Sequence, residues 1–569
     1  MKKSLIFLES STKKITIKSF LGNDYEIFAT GGHLWELKKT GVYNLGVDLE
    51  KFTPEYEIIE GKKKFISFWQ NYLKQNPQLT IYLATDPDRE GEAIAREVAE
   101  ILKIPANRYK RLLFHEITAK SIRQSLENPL TLDKNLVDAQ ISRQVLDRMI
   151  GFCLSTLLQK KTKAPSAGRV QSVVLKMIVE REAEVKSYDK KKDYIICATY
   201  KKGKEEYILR QKTATGELVI YENEEKAEII RQKLSEDFQL IKQNEEETFI
   251  FPKLPLITSL LLYEARMQLG FSIAKTTKLA QELYEGVWVE GKKQRLSLIT
   301  YPRTDSSRLN KDFLRQTWQY ITEKWGKNYC NFSTASPKEK KTNIQDAHEA
   351  IHPTYLNFSP SDLETSLNKE QQNLYNLIFN HTLTSLMSPA RITRHNYNFI
   401  NNKYYFSMKE SIVKFFGFFI VNPTDCFSRY KVKEKFLLEA KDLNPLHTEK
   451  IEVKEYVEKK PRRYNEGSLV QELEKLGIGR PSTYNAFSKI LLQRTYVAFD
   501  EKECFIPTEL GLKVNQWLQE NFSFLINENY TASLEEDLDE ISQGKESYFS
   551  FIKRFWDNFF PYYKTIEAK

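Results

Sequence analysis

Residues 79–102 constrain the fold of this chain most, because an apolar strand pattern there passes directly into an amphipathic helical pattern. Leu79, Ile81 and Leu83 alternate as in a β-strand. After Gly91, apolar residues recur with helical spacing at Ala93, Ile94, Val98, Ile101 and Leu102. Ligands usually bind at strand-to-helix turns of α/β sheets. The stretch therefore predicts an α/β domain with its functional site at this turn.

The turn itself contains three acidic residues. Asp86 and Asp88 lie two positions apart in nearly extended chain, so their side chains are predicted to point to one side, with Glu90 one step further on. Crowded carboxylates repel one another, and a divalent cation neutralises them. Oxygen ligands in a partly open site suit Mg²⁺ bound together with a phosphate. A solvated acidic turn is the alternative, and the preceding strand and the following Gly-Glu pair favour the metal site.

Composition sets broad limits on partners and location. At a typical domain size, 569 residues predict about three to four domains. Lys and Arg number 86 against 76 Asp and Glu, and this net charge of +10 suits a polyanionic partner without proving one. The five cysteines form no C-x-x-C pair, so neither zinc nor a disulfide framework is expected. The sequence has no signal peptide and no apolar stretch of membrane-spanning length, which predicts a cytoplasmic protein without a membrane partner.

The N-terminal segment repeats the strand-to-helix pattern. A buried strand is predicted at Ser4–Leu8, followed by a capped helix that runs to Phe20. Glu9 and Lys13 would then lie at the carboxyl end of a strand beside a helix N-terminus, where phosphate is favoured. A further strand ends in a glycine turn that contains His33, for which a structural role is an equal alternative. The first 140 residues are predicted as one α/β domain.

Four motifs of this domain resemble the TOPRIM domain of type IA DNA topoisomerases. In chain order they are FLESSTKKITIKSFLG, ATGGHLWEL, ATDPDREGEAIA and FHEIT. Ser11 departs from the pattern, because many members have proline there. The resemblance implies a multi-domain fold with α/β, α and β parts, in which a TOPRIM α/β domain, helical DNA-binding domains and a β-rich arch form a toroid.

The rest of the chain divides by pattern and by this resemblance. Two segments with short Tyr-, Ile- and Thr-containing runs between polar turns are predicted to be β-rich and to enclose a helical insertion. The expected domains are TOPRIM at 1–140, helical DNA-binding at 141–187 and 461–569, the β-rich arch at 188–255 and 388–460, and the insertion at 256–387. No zinc-ribbon repeats follow, so strand passage is expected to be less processive or to be helped by a partner.

Neither composition nor spacing distinguishes Tyr301 among the 30 tyrosines, and core packing is the usual role of a tyrosine after an apolar run. The segment ITYPRTDS resembles the type IA active-site segment, and QDAHEAIHPT follows it about 45 residues later. The resemblance implies that Tyr301 is the nucleophile, with Arg303 and His348 beside it. It also implies that Glu9 protonates the departing 3′ oxygen and that Lys13 stabilises the phosphoryl group. The implied metal ligands are Glu9, Asp86, Asp88 and Glu90.

Basic residues are spread along the helical segments before residue 187 and after residue 461. Composition alone favours solvated helix faces, whereas the resemblance to the family's single-strand-binding helices and SAGRVQS turn implies DNA contacts. The expected contacts are His33, Arg111, Arg143, Asp147, Arg148, Arg169, Arg480, Ser482 and Thr483. Gln144 occupies a position where some relatives have a second arginine, so the base preference of those relatives is not assumed.

The implied function is ATP-independent relaxation of negatively supercoiled DNA through a transient single-strand break and a 5′-phosphotyrosine. One phosphoester replaces another, so no ATP is needed, and no G-x-x-x-x-G-K-[ST] loop is present. The protein is expected to act as a monomer, with Mg²⁺ and without zinc, on single-stranded segments. A TOPRIM metal-dependent nuclease, a topoisomerase III-like decatenase and a non-catalytic single-strand-binding protein remain as alternatives.

Overall fold

The computed structural model describes residues 4–188, 192–332, 349–456 and 461–569. Its N-terminal part alternates strands and helices, as the sequence predicts for an α/β domain. The elements of this part are β1 (Ser4–Leu8), α1 (Ser11–Leu21), β2 (Tyr25–Ala29), β3 (Trp35–Leu37), β4 (Val47–Asp48), β5 (Thr53–Pro54), β6 (Tyr56–Ile58), α2 (Lys63–Gln75), β7 (Thr80–Leu83), α3 (Arg89–Ile101), β8 (Tyr109–Arg111) and α4 (Ala119–Glu127).

A four-stranded parallel sheet in the order β2-β1-β7-β8 forms the centre of this part. Its strands are apolar, and helices pack on them. Phe7 of β1, Leu83 of β7 and Trp69 of α2 lie in one buried cluster. Phe7 and Leu83 are also partners in the strand register. The residues that follow β1 and β7 therefore meet at the same edge of the sheet.

Side-chain caps set the starts of two helices. Helix α3 begins at Arg89, before Gly91, because the Asp88 side chain accepts a hydrogen bond from the Gly91 N–H at 2.8 Å and caps the helix. Helix α5 (Lys134–Thr162) is capped by Asp133 and therefore crosses the boundary expected at residue 140. The domain limits themselves remain a prediction.

The chain next forms a second long helix and the first long strands. These elements are α6 (Arg169–Tyr188), β9 (Asp193–Lys202), β10 (Glu205–Lys212), α7 (Glu224–Arg231) and β11 (Asp237–Ile250). A mainly helical segment follows, with α8 (Thr258–Leu269), α9 (Ile273–Glu285), β12 (Val287–Val289), β13 (Gln294–Leu296), α10 (Lys311–Trp325) and α11 (Lys369–Ser385). Ile6 and Leu8 of β1 share a buried cluster with Leu283 of α9, so this segment packs directly on the parallel sheet.

Strands from both sides of the helical segment join one antiparallel sheet. The chain continues with β14 (Ala390–Asn401), β15 (Tyr404–Phe415), α12 (Pro423–Tyr430), α13 (Ala440–Leu443), β16 (Leu446–His447) and β17 (Lys450–Tyr456). The seven-stranded sheet has the order β16-β11-β14-β15-β10-β9-β17. The chain thus leaves the β-rich part after β11, forms the helical segment and returns to the same sheet at β14.

The C-terminal elements pack back on α5 and α6. They are α14 (Glu466–Lys475), α15 (Tyr484–Gln493), β18 (Val497–Phe499), β19 (Phe505–Pro507), α16 (Glu509–Phe522), α17 (Glu528–Ser542) and α18 (Tyr548–Ala568). Leu146 of α5, Leu538 of α17 and Phe555 of α18 belong to one buried cluster. Within the described ranges, no helix has the length and apolar character needed to span a membrane.

Candidate active site

The candidate site lies at the carboxyl edge of the parallel sheet, where the residues after β1 and β7 meet the loop after β13. Ser10 caps α1 by accepting a hydrogen bond from the Thr12 N–H at 3.1 Å. The first turn of α1 places Lys13 inside the protein, where it is 2% exposed. The Lys13 ammonium forms an ion pair with Asp86. These two predicted site residues therefore neutralise each other in the interior.

Tyr301 is bound to the acidic turn through its hydroxyl group. The hydroxyl donates a hydrogen bond to Asp88 Oδ2 at 2.7 Å, and the backbone N–H donates to the carbonyl of His115 at 2.8 Å. Arg303 Nη1 lies 3.4 Å from the same Asp88 oxygen. Tyr301 is 2% exposed, so the contact is shielded from solvent. The structure thus brings three predicted site residues together across 213 positions of sequence.

Tyr284, at the end of α9, supports this arrangement and was not found by sequence reasoning. Its ring meets the Tyr301 ring edge to face, with 5.2 Å between centroids. Lys13 Nζ lies 5.1 Å from the centre of the Tyr284 ring. The Tyr284 hydroxyl donates to the carbonyl of Phe114 at 2.6 Å. The position of Tyr284 in the helical apolar pattern of α9 indicates core packing only. Its contacts with Tyr301 and Lys13 form only when α9 packs on β1.

Burial changes the proton affinities of the central side chains. It lowers the pKa of Lys13 to about 8. It raises the pKa of Glu9, although the Lys13 charge opposes this shift. Burial and the Asp88 charge raise the pKa of Tyr301 well above its usual value. Burial thus shifts the pKa of Lys13 downward and the pKa values of Glu9 and Tyr301 upward, each toward the neutral form of the side chain.

His33 lies between two glutamates at the rim of the site. Its Nε2 is 2.5 Å from Glu90 Oε1, and its Nδ1 is 2.6 Å from Glu97 Oε1. Burial lowers the pKa of His33, but the hydrogen bonds with Glu90 and Glu97 outweigh this effect and raise the pKa to about 10. The imidazolium is therefore charged at neutral pH and orients both carboxylates. Its contact with DNA remains a prediction.

The available ligand atoms of the site are carboxylate oxygens, which suit Mg²⁺. Glu9, Asp88 and Glu90 are near enough for their charges to interact, whereas Asp86 is engaged by Lys13. In the part of the chain that the structure describes, the group with ligand atoms already close enough to share an ion is Asp537, Glu540 and Glu546. The active-site carboxylates therefore fit Mg²⁺ in ligand type and need side-chain rotation to enclose it.

The chain was compared with known protein families. The sequence pattern of the family described as DNA topoisomerase matches residues 131–553, and that of the Toprim domain matches residues 4–117. The chain belongs to the type IA DNA topoisomerase family. It is therefore an isomerase that acts on DNA, and its α/β, α and β parts form the multi-domain toroid that the resemblance implied.

Relatives and a solved structure match this topoisomerase along nearly its whole length. The DNA topoisomerase 1 of Campylobacter jejuni is 36% identical over 100% of this chain and 79% of the relative. That of Thermotoga maritima is 36% identical over 98% of this chain and 84% of the relative. The solved structure of full-length topoisomerase I from Thermotoga maritima has a TM-score of 0.83 at 34% identity and covers 98% of this chain and 90% of that one. The sequence resemblance is thereby confirmed.

A pocket of about 380 Å³ lies beside several predicted DNA contacts of the topoisomerase. Its lining includes Gln144, Asp147, Arg148, Phe152, Gln171 and Arg494. The Arg148 guanidinium lies 4.4 Å from the centre of the Phe152 ring in a cation–π contact. Gln144 accepts a hydrogen bond from the Tyr56 hydroxyl at 3.1 Å. Sequence reasoning missed Phe152, although it follows Arg148 by about one helical turn on α5.

Arg111 is buried, which corrects its assignment as a DNA contact of the topoisomerase. It is 1% exposed, and its Nε donates to Glu92 Oε2 at 2.7 Å. Its other donors bind the carbonyls of Leu83, Thr85, Asp86 and Leu112. Arg111 therefore holds the backbone of the turn after β7. Sequence reasoning missed this because an arginine at a strand end can face solvent or the interior.

Arg169 needs a similar correction. It is 3% exposed, and it binds Asp147 at 3.0 Å and Glu535 at 2.7 Å, so it cannot reach a DNA strand in this conformation. The Arg143 and Arg480 side chains remain 17% and 21% exposed. These two arginines are partly exposed, whereas Arg169 lies in the interior, and their contact with DNA remains a prediction.

The remaining predicted residues have mixed positions. Ser482 is exposed, whereas the Thr483 hydroxyl closes its own turn by accepting from the Arg480 N–H and donating to the Arg480 carbonyl, both at 2.9 Å. His348 lies outside the described residues of the topoisomerase. The second histidine of the same motif, His352, is 1% exposed and stacks on Phe313.

Proposed function

We propose that this topoisomerase relaxes negatively supercoiled DNA without ATP, by cutting one strand through a 5′-phosphotyrosine at Tyr301, passing a strand and resealing the break. The hydrogen bond from the Tyr301 hydroxyl to Asp88 supports this most directly. It brings the insertion's tyrosine into contact with the acidic turn of the Toprim domain. A Toprim nuclease would have no use for that contact.

The proposed cleavage step exchanges one phosphoester for another. The Tyr301 oxygen bonds to phosphorus while the bond between phosphorus and the 3′ oxygen breaks. Asp88 accepts the Tyr301 proton, and Glu9, whose pKa is raised by burial, donates a proton to the 3′ oxygen. Lys13 and Arg303 stabilise the charge on the phosphoryl oxygens. Because the phosphoester count is unchanged, no ATP is required.

Mg²⁺, when bound by Glu9, Asp88 and Glu90, supplies positive charge that favours religation. The protein's own contribution is to hold the acidic side chains of the site in place through neighbouring side chains. His33 orients Glu90 through its Nε2 atom, while Lys13 holds Asp86 in an ion pair.

Strand passage requires the insertion to lift from the Toprim domain. Besides the contacts of Tyr301, Arg303 and Tyr284 with this domain, side-chain hydrogen bonds of Ser10 and Thr16 connect these parts. Ser10 donates to the Glu285 carboxylate at 2.9 Å, and Thr16 donates to the Glu285 carbonyl at 2.6 Å. Each such bond contributes about 1 kcal/mol, and the buried apolar contact of Ile6 and Leu8 with Leu283 must also be broken when the insertion lifts. The seven-stranded sheet, which joins both ends of the insertion, is the proposed hinge.

We expect the enzyme to act as a cytoplasmic monomer on single-stranded segments of negatively supercoiled DNA. Decatenation of linked duplexes uses the same cleavage chemistry and differs in the strand that passes. Relaxation and decatenation assays on the same preparation distinguish these two substrates.

The test compares wild type, Tyr301→Phe and the matched control Tyr320→Phe, which removes a hydroxyl from α10 of the same insertion. Each is incubated with negatively supercoiled plasmid and Mg²⁺ without ATP, and adducts are trapped with denaturant. We expect relaxation and a 5′-linked adduct in wild type and Tyr320→Phe, with both lost in Tyr301→Phe. Nicking without an adduct, unchanged in Tyr301→Phe, would instead establish a nuclease.

A further inference from the structure

A buried carboxylate lies among the arginines that were predicted to bind DNA. Glu535 of α17 is 0% exposed. Its Oε1 accepts a hydrogen bond from Arg169 Nη2 at 2.7 Å, and its Oε2 pairs with Arg143. Arg480 Nη1 lies 3.9 Å from Oε2. One carboxylate therefore faces three guanidinium groups from α5, α6 and the turn after α14.

A second carboxylate extends this cluster to the active-site turn. Asp539 lies one helical turn after Glu535 on α17 and accepts a hydrogen bond from Arg480 Nη2 at 2.6 Å. It also pairs with Arg89, which directly follows the Tyr301 partner Asp88. Helix α17 thus connects the partly exposed arginines to the start of α3.

The charges of the three arginines keep the Glu535 carboxylate ionised. Burial raises the pKa of Glu535, but the charges of Arg143, Arg169 and Arg480 outweigh burial and lower the pKa to about 2. The carboxylate is therefore ionised throughout the physiological range. An arginine fixed in this way meets a phosphate without first losing the freedom of a long flexible side chain.

We propose that Glu535 is a positioning residue for DNA binding. Its carboxylate holds Arg143 directly and Arg480 together with Asp539, while Arg169 fixes the carboxylate from the interior. Because Glu535 is buried, it acts through the arginines and does not touch DNA. This inference rests on the proposed function, since it places the bound strand along Arg143 and Arg480.

The first test measures binding of a non-cleaved single-stranded oligonucleotide in EDTA at several salt concentrations. Glu535→Gln keeps the side-chain shape and replaces one of the two carboxylate acceptors with a donor. We expect its Kd to rise about tenfold, as for loss of one charged hydrogen bond, and the salt slope to fall by about one. Glu536→Gln, an exposed residue of the same helix, should change Kd less than twofold. Unchanged or tighter binding by Glu535→Gln would overturn the proposal.

The second test is a double-mutant cycle of Glu535→Gln with Arg143→Gln, in which DNA binding is measured. A general loss of stability would not make the two losses of binding non-additive. If Glu535 acts through Arg143, the double variant binds only as weakly as the weaker single variant. Additive losses would overturn the proposal. Should Glu535→Gln fail to fold, Glu535→Asp takes its place in the same cycle, because it keeps the charge and shortens the side chain that reaches Arg143. If the wild-type protein neither binds nor relaxes DNA, the proposed function is wrong. If the wild-type protein is active but the losses of DNA affinity in the cycle are additive, only this inference is wrong.

Discussion

The pH dependence of DNA cleavage follows from the position of Lys13. Its ammonium is buried against Asp86, and burial lowers its pKa to about 8, although Glu9 and Glu285 act in the opposite direction. Lys13 stabilises a phosphoryl group only while it is charged. With this pKa, the charged fraction falls from about 90% at pH 7 to about 10% at pH 9. The second-order rate constant for cleavage is therefore expected to fall about tenfold between these pH values.

Single-turnover cleavage of a single-stranded oligonucleotide at limiting DNA measures this constant, which reports the pKa values of the free enzyme. Lys13→Arg is the matched control, because a guanidinium stays charged throughout this range and should abolish the decline. A wild-type rate that is constant from pH 7 to pH 9 would refute the reasoning. A decline that persists in Lys13→Arg would assign it to another group.

The same shift acts on stability in the opposite sense. The pKa of Lys13 is lower in the folded chain than its ordinary 10.5, so the unfolded chain binds more protons between about pH 8 and pH 10.5. The contribution of Lys13 to the free energy of unfolding therefore rises with pH in that window. Above pH 8, cleavage activity should fall while this contribution grows.

Two further predictions concern residues that support the site. Arg111→Leu leaves Glu92 buried without its partner and should lower the free energy of unfolding by about 3–5 kcal/mol, measured by denaturant titration; a loss below about 1 kcal/mol would contradict the structural role. His33→Gln should lower the free energy of unfolding, and the loss should be largest below pH 6.5, the ordinary pKa of histidine. Because the folded-state pKa of His33 is raised to about 10, the difference from wild type should vanish as pH rises through that value, and a pH-independent difference would argue against the charged imidazole.

Local sequence pattern was sufficient for the elements that present the site. The predicted strand Ser4–Leu8 is β1, and the alternation from Leu79 to Leu83 corresponds to β7 at Thr80–Leu83. The helix predicted to end at Phe20 ends at Leu21. Strand alternation and helical spacing depend on neighbouring residues, so they can be read without the rest of the chain. The apolar spacing after Gly91 does not show where α3 starts, because the Asp88 side-chain cap sets that start at Arg89.

The site residues needed different information. Acidic residues after β7 indicated a cation or phosphate site by their chemistry alone. Tyr301 was selected only by its resemblance to a family motif, because its local sequence matches that of a core tyrosine. Its contact with Asp88 depends on how α9 and the following loop pack against β1.

The sequence by itself determined the first strand-helix units, the acidic turn and the family. Only the tertiary structure decided which charged side chains are buried and which remain accessible. Arg169 and Glu535 are 366 residues apart and meet at 2.7 Å, and neither sequence neighbourhood predicts that contact. The physical reason is that an ionised group can be buried only where an opposite charge is brought to it, and packing of distant helices supplies that charge.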